Sequence, residues 1–243
     1  MSYKNILIVS TSTVHGKSYL GYIETEIKNF FEGCKNIVFI PFARPGGISW
    51  DEYTAIARTK FESLGFNMKG IHEFNNIKEA LVEADGFFTG GGNTFELINQ
   101  LYQHDILELI TQLVNDGKPY MGTSAGSNIT GVSVKTTNDM PIIYPPSFDA
   151  LNLVPFNINP HYLDPDPTSK HMGETRETRI KEFHHFNDET VVGLREGSWL
   201  RVSGMDIELR GPHSARIFEK DKAPYEVKPG SVRFLLKSNF IDS

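Results

Sequence analysis

Between Ile6 and Gly126 the chain changes hydrophobic period five times, from short apolar runs to longer stretches whose apolar residues recur every three or four positions. A β-branched or aromatic run of that length fits a buried strand, and the slower recurrence fits an amphipathic helix, so each change marks a strand feeding a helix. The predicted strands are 6–9, 37–40, 70–74, 87–89 and 119–122. Between them lie a helix through Ile23, Ile27 and Phe31 that closes at Gly33, helices over 50–64 and 77–84, and one helix over 94–114. The last carries Phe95, Ile98, Leu101, Ile106, Ile110 and Leu113 on one face, and Asn115-Asp116-Gly117 with Pro119 stops it. Consecutive strand–helix units demand parallel strands joined by right-handed crossovers. The expected fold is therefore α/β, a doubly wound and mostly parallel sheet with helices on both faces.

In such sheets ligands sit beyond the carboxyl ends of the strands. Three polar or glycine-rich clusters fall there: Ser10 to Thr13, Gly90 to Thr94 and Thr123 to Ser127. The second half reads differently. Residues 132–167 hold seven of the 13 prolines, which excludes long helices. A helix is expected over 173–186, followed by hairpin-like strands at 191–194, 199–202, 207–209 and 215–218. No linker or low-complexity stretch separates the halves, so residues 1–243 are expected to form a single domain with antiparallel strands added in the C-terminal part.

Composition narrows the function classes. Lys and Arg total 24 against 30 Asp and Glu, a net charge of −6 that gives no electrostatic attraction to nucleic acid or to an anionic membrane. A single cysteine, Cys34, can form neither an internal disulfide nor a cysteine metal cluster. The apolar run at 6–9 is too short for a signal core or a membrane span. A cytoplasmic protein is expected, monomeric or homodimeric, with no membrane or nucleic-acid partner. No H-E-x-x-H or comparable ligand spacing occurs, and neither metal nor cofactor is expected.

Gly122-Thr123-Ser124-Ala125-Gly126 fits G-x-S-x-G, the sharp strand-to-helix turn that exposes a serine hydroxyl above a parallel sheet. The N–H of Ala125 would point at an oxygen developing negative charge. The rival reading makes Ser124 a mere helix cap. A nucleophilic serine needs a base, and of eight histidines His161 is singled out, in Asn157-Ile158-Asn159-Pro160-His161, where Ile158 suggests a short buried strand and Pro160 an extended approach. His104, His184 and His185 read as surface groups on helices. The base in turn needs an orienting carboxylate. Asp139, in Thr136-Thr137-Asn138-Asp139-Met140-Pro141, and Glu196, in Leu194-Arg195-Glu196-Gly197-Ser198-Trp199, both qualify, and the residues alone leave the choice open. Gly90-Gly91-Gly92-Asn93-Thr94 lacks the full dinucleotide fingerprint and a Walker lysine, so the bare N–H groups of Gly91 or Gly92 suit an oxyanion hole better than a nucleotide phosphate.

Taken together, the chain resembles the peptidase E, or α-aspartyl dipeptidase, family of serine peptidases along nearly its whole length. Besides the motifs above, the resemblance rests on Ile40-Pro41-Phe42-Ala43, Trp50-Asp51-Glu52-Tyr53, Gly92-Asn93-Thr94-Phe95, Phe148-Asp149-Ala150-Leu151 and Gly173-Glu174-Thr175-Arg176-Glu177. It implies a flavodoxin-like fold similar to class I glutamine amidotransferases, with serine in place of their nucleophilic cysteine, and hydrolysis of dipeptides with N-terminal aspartate. It also implies Ser124 as nucleophile and His161 as base, with Asp139 or Glu196 as the third member. Within Lys170 to Arg179, a stretch that includes His171, Arg176 is then the candidate for the substrate's side-chain carboxylate and Glu174 for its α-ammonium. Acids in Asp164-Pro165-Asp166-Pro167 would oppose that binding if they faced the pocket.

Three alternatives accompany this reading. Cleavage of β-aspartyl links, as in the related cyanophycinases, would change only the substrate. A non-catalytic small-molecule binding module would keep the rim without the chemistry. Glutamine amidotransfer would need a cysteine at the elbow, and Cys34 lies far upstream.

Overall fold

The computed structural model describes residues 4–165, 168 and 173–236. The first half follows the strand–helix alternation: β1 (Asn5–Val9), α1 (Glu24–Phe30), β2 (Asn36–Ile40), α2 (Trp50–Ser63), β3 (Asn67–Gly70), α3 (Ile77–Glu83), β4 (Gly86–Thr89), α4 (Thr94–Gln103), α5 (Leu107–Asn115), β5 (Tyr120–Thr123) and α6 (Ala125–Asn128). The second half contributes β6 (Asn157–Pro160), α7 (Arg176–Phe186), β7 (Val191–Leu194), β8 (Trp199–Ser203), β9 (Asp206–Arg210), β10 (Ala215–Phe218), β11 (Tyr225–Val227) and β12 (Gly230–Ser231).

Eight strands form one sheet in the order β12-β9-β8-β1-β5-β4-β2-β3. The five from the first half run parallel, and β8, β9 and β12 extend the sheet antiparallel beyond β1. Alternation along β1 shows why helices must cover both faces. Ile6 and Ile8 pack with Ile98, Leu101 and Ile110 of α4 and α5. Leu7 and Val9 point the other way, into Ile27, Phe31, Tyr53 and Phe61 from the α1 and α2 side. Ile6, Leu7, Ile8 and Val9 are fully buried, each contributing about 1.5–3 kcal/mol of transfer free energy. No helix among the described residues is long and apolar enough to cross a membrane.

Three expectations need correction. The third strand lies at Asn67–Gly70 rather than 70–74, because Ile71–Glu73 turns into a single 3-10 turn. The long helix over 94–114 is two helices. His104 ends α4, Asp105 takes a φ of +51°, and the Ile106 N–H returns to the Leu101 carbonyl, a left-handed helix stop usually built on glycine. Leu101 and Ile106 both stay buried, so the apolar face runs on through the break. The C-terminal strands also divide. β8 and β9 form a hairpin on the large sheet, whereas β7 and β10 belong to a second sheet of order β11-β10-β7-β6, in which β6 and β7 are parallel. This second sheet brings residue 161 to the carboxyl rim of the first.

Candidate active site

Ser124 occupies the junction of β5 and α6 with φ +53° and ψ −112°, a conformation that non-glycine residues rarely adopt. The flanking glycines are required by space. A Cβ on Gly122 would lie 2.2 Å from the Gly126 carbonyl oxygen, and one on Gly126 would lie 2.3 Å from that of Thr89. The turn can be this sharp only without those side chains. Ser127 fastens it from below: its hydroxyl lies 2.7 Å from the carbonyl oxygens of both Val9 and Gly122, which share its one proton, and it accepts from the Val9 N–H. The Ser124 N–H donates to the Val9 carbonyl at 3.1 Å.

The Ser124 hydroxyl does not cap α6. Its Oγ lies 2.8 Å from His161 Nε2, and His161 Nδ1 lies 2.6 Å from Glu196 Oε1. His161 is the first residue past β6 and also holds a φ of +53°. Glu196 sits in the turn between β7 of the small sheet and β8 of the large one, with 48% of its side chain exposed. The three groups therefore meet where the two sheets adjoin. Behind Glu196, burial and then the Glu196 charge push the Tyr22 phenol up, and Tyr22 donates to the Thr11 carbonyl at 2.6 Å.

Asp139 is not part of that chain. Its Oδ2 accepts from the Thr94 N–H at 2.7 Å, the Thr94 hydroxyl at 2.6 Å and the Thr137 hydroxyl at 3.0 Å, which ties the 137–140 loop to the start of α4. Glu196 is the carboxylate in contact with His161. Spacing in sequence could not separate the two acids, because what separates them is the seam between sheets.

The glycine loop after β4 approaches the elbow closely. A Cβ on Gly91 would meet Ser124 Cβ at 2.9 Å, and one on Gly92, at φ +146°, would meet the Ala43 carbonyl oxygen at 2.1 Å. The Gly91 N–H is already engaged, donating to Tyr53 Oη at 2.8 Å. In the sequence Tyr53 stands only within the Trp50-Asp51-Glu52-Tyr53 motif, with no role assigned to it. Gly92 and Ala125 retain N–H groups with no protein acceptor among the described residues, that of Ala125 because it opens α6. Asn93 caps α4, accepting from the Glu96 N–H.

Arg176 opens α7 after the capping Thr175. Burial, then Arg179, lower its proton affinity, while Glu196 and Asp139 act in the opposite direction, which puts the guanidinium within the field of both site acids. Its Nη1 is buried without a partner among the described residues. Glu174 is mostly exposed and pairs loosely with Arg179 at 3.9 Å. Asp164 turns to Arg195 in a two-point pair, at 2.7 and 3.0 Å. Lys170, His171 and Asp166 lie outside the described residues. Of the histidines set aside as surface groups, His184 is instead buried, with Nε2 2.9 Å from the Glu189 carbonyl. Among the described residues no cluster of three His, Cys, Asp or Glu side chains is arranged for a metal ion.

A parallel sheet that lifts a serine over its carboxyl edge and backs it with histidine and a carboxylate defines a class, the serine hydrolases built on α/β sheets. Within that class the chain belongs to peptidase family S51, whose model matches residues 6–210. It is 47% identical over 227 residues to a Streptomyces coelicolor protein named peptidase E, covering 93% of this chain and 92% of that one. It is 44% identical over 240 residues to a Drosophila melanogaster protein named probable alpha-aspartyl dipeptidase, covering 97% and 99%. In fold it is similar to the crystal structure of a peptidase from an acI-B1 actinobacterium, with a TM-score of 0.67 at 18% identity over 93% of this chain and 94% of that one.

Proposed function

We propose that the chain is a serine-type dipeptidase that hydrolyses dipeptides with N-terminal aspartate through an acyl-enzyme on Ser124. The observation that carries the reading is the unbroken hydrogen-bond chain Ser124–His161–Glu196, at 2.8 and 2.6 Å. The names of the relatives supply the substrate class.

In this reading His161 Nε2 takes the proton of Ser124 Oγ as that oxygen attacks the aspartyl carbonyl, and Glu196 holds the imidazole tautomer with Nδ1–H donated to the carboxylate. The N–H groups of Ala125 and Gly92 receive the oxyanion, each worth about 3–4 kcal/mol where such donors have been removed elsewhere. His161 then returns the proton to the leaving amine, and water attacks the ester by the same route in reverse. Gly91 contributes closeness rather than a donor. Arg176, with a buried and unpartnered Nη1, takes the substrate's side-chain carboxylate. Asp139 holds the loop facing the site, and Glu174 remains the candidate for the α-ammonium.

The deciding experiment is a panel of α- and β-aspartyl dipeptides, run on the wild type and on Ser124→Ala. Turnover of α-Asp-X that vanishes in a folded Ser124→Ala supports the proposal. Turnover confined to β-aspartyl links would replace the substrate. Absence of turnover together with no fluorophosphonate adduct on Ser124 would replace the enzyme with a binding module.

A further inference from the structure

Ser10 lies one residue beyond β1, in a polar cluster that the mechanism above leaves without a task, and it is fully buried. Its hydroxyl accepts from the His161 N–H at 3.0 Å and donates to the Leu194 carbonyl at 2.7 Å. Its own N–H donates to the Ser198 carbonyl at 3.2 Å. These three partners belong to the part of the chain that supplies the base and its acid. Leu194 and Ser198 bracket the turn carrying Glu196, and His161 is the base.

The geometry explains why a hydroxyl is needed there. Pairing of β6 with β7 ends at Pro160 opposite Leu194, so the next N–H, that of His161, has left the ladder. The Leu194 carbonyl already accepts from the Tyr162 N–H at 3.1 Å. His161 meanwhile holds φ at +53°, a region that costs a residue other than glycine about 1–3 kcal/mol and persists only where the surroundings impose it. A partly buried N–H in a strained backbone finds its acceptor just past β1 of the other sheet. Val9, the preceding residue, receives the Ser124 N–H on its carbonyl.

We propose that Ser10 is a positioning residue for catalysis. Together with Val9 it lets the end of one strand fix the backbones of nucleophile, base and acid turn across the seam between the sheets. The inference rests on the serine-hydrolase reading above. Without the hydroxyl the His161 backbone relaxes toward ordinary φ, and the imidazole leaves the line between Ser124 and Glu196. Misplacement on the order of 1 Å costs up to about a hundredfold in rate.

The test compares Ser10→Ala, which fits the space of serine, and Ser10→Cys, whose slightly larger thiol hydrogen-bonds only weakly, with Ser10→Thr, which keeps the hydroxyl. Three readouts are taken: kcat and KM on Asp-X dipeptides, the rate of fluorophosphonate labelling of Ser124, and the melting temperature. The expected result is a kcat lower by roughly 10–100-fold in the Ala and Cys variants, with KM within about threefold. Labelling slows by the same factor, melting changes little, and Thr recovers most of the loss. Labelling of Ser10→Ala at the wild-type rate would overturn the inference, as would a folded Ser10→Thr as slow as Ser10→Ala. Failure of both Ser10→Ala and Ser10→Cys to fold would also overturn it, by making Ser10 purely structural. A wild type that neither labels nor turns over Asp-X would instead remove the serine-hydrolase reading itself.

Discussion

Ser124 and His161 share a backbone φ of +53° while their side chains meet at 2.8 Å. One strained residue follows a strand of the large sheet, the other a strand of the small one, and the contact joins two backbones that both leave the usual region. The elbow thus trades stability for reach.

That trade is measurable at Ser124. Replacement by glycine relieves strain of about 1–3 kcal/mol, offset in part by the roughly 0.5–1 kcal/mol of chain entropy that glycine adds. Ser124→Ala keeps the strain. Both variants are expected to be inactive, with Ser124→Gly melting a few degrees above Ser124→Ala, at about 2–4 °C per kcal/mol for a chain of this size. Equal melting temperatures by calorimetry would show that the elbow stores no more strain than the roughly 0.5–1 kcal/mol that glycine's chain entropy offsets.

The two acids should respond in opposite ways. Glu196→Gln leaves His161 free to present the wrong tautomer, which in an enclosed triad lowers kcat by about 10⁴. Here nearly half of the Glu196 side chain meets solvent, so a smaller loss, on the order of 10²-fold, is expected with little change in melting. Asp139→Asn weakens charge-assisted bonds to Thr94 and Thr137, and should cost about 1–2 kcal/mol of stability while kcat falls only a few-fold. Steady-state kinetics and thermal melts on the same two variants separate the roles, and a larger kcat loss in Asp139→Asn would reverse them.

Arg176 should govern selectivity rather than bond breaking. Removing a charged partner from a carboxylate is worth about 1.5–3 kcal/mol, so Arg176→Ala is expected to lower kcat/KM on Asp-X by roughly 10–100-fold. Its effect on Asn-X should be small. Arg176→Lys, lacking the planar fork, should recover only part of the loss. Equal losses on Asp-X and Asn-X would place the guanidinium outside the substrate pocket.

Below the site, the Arg195 hydrogen bonds, followed by those of Ser214 and Arg216, hold the Glu226 carboxyl down at about 2 from an ordinary 4.5. A carboxylate with a depressed folded value contributes stability that is complete above about 4.5 and is lost as pH falls toward 2. Melting temperature should therefore drop across that window, and the advantage of wild type over Glu226→Gln should shrink with it. Glu226 is 40% exposed, so the effect is modest and screened by salt. A gap between the two proteins that stays constant from pH 6 to pH 3 would contradict this account.

Much of the first half was legible because its strands are short apolar runs bounded by turn residues, and because G-x-S-x-G carries its own geometry. What escaped has particular causes. Only Met68 and Gly70 of β3 face inward, too few to register as a run. The break between α4 and α5 is hidden because Leu101 and Ile106 keep the apolar face in phase, and Asp105 rather than glycine takes the left-handed position. His161 could be found from its proline and the buried Ile158, and Glu196 was one of two candidate acids, yet the choice between it and Asp139 was not legible, since Glu196 reaches His161 only through the pairing of a second sheet. Tyr53 and Ser10 escaped for a related reason. Each acts through one hydroxyl on a backbone N–H distant in sequence, and no local pattern records such a bond.

The hydroxyl and the imidazole are 37 positions apart in sequence, and most of the intervening chain is proline-rich loop that ends at β6. Val9 and Ser10 hold the backbones of Ser124 and His161, and residues 133–138 of the loop are bonded to β6, so the alignment rests on these and not on the exposed stretch from Met140 to Tyr144. Insertions, deletions and exchanges there can redraw the mouth of the cleft, and with it the choice of peptide, while the bond-cutting apparatus stays in register.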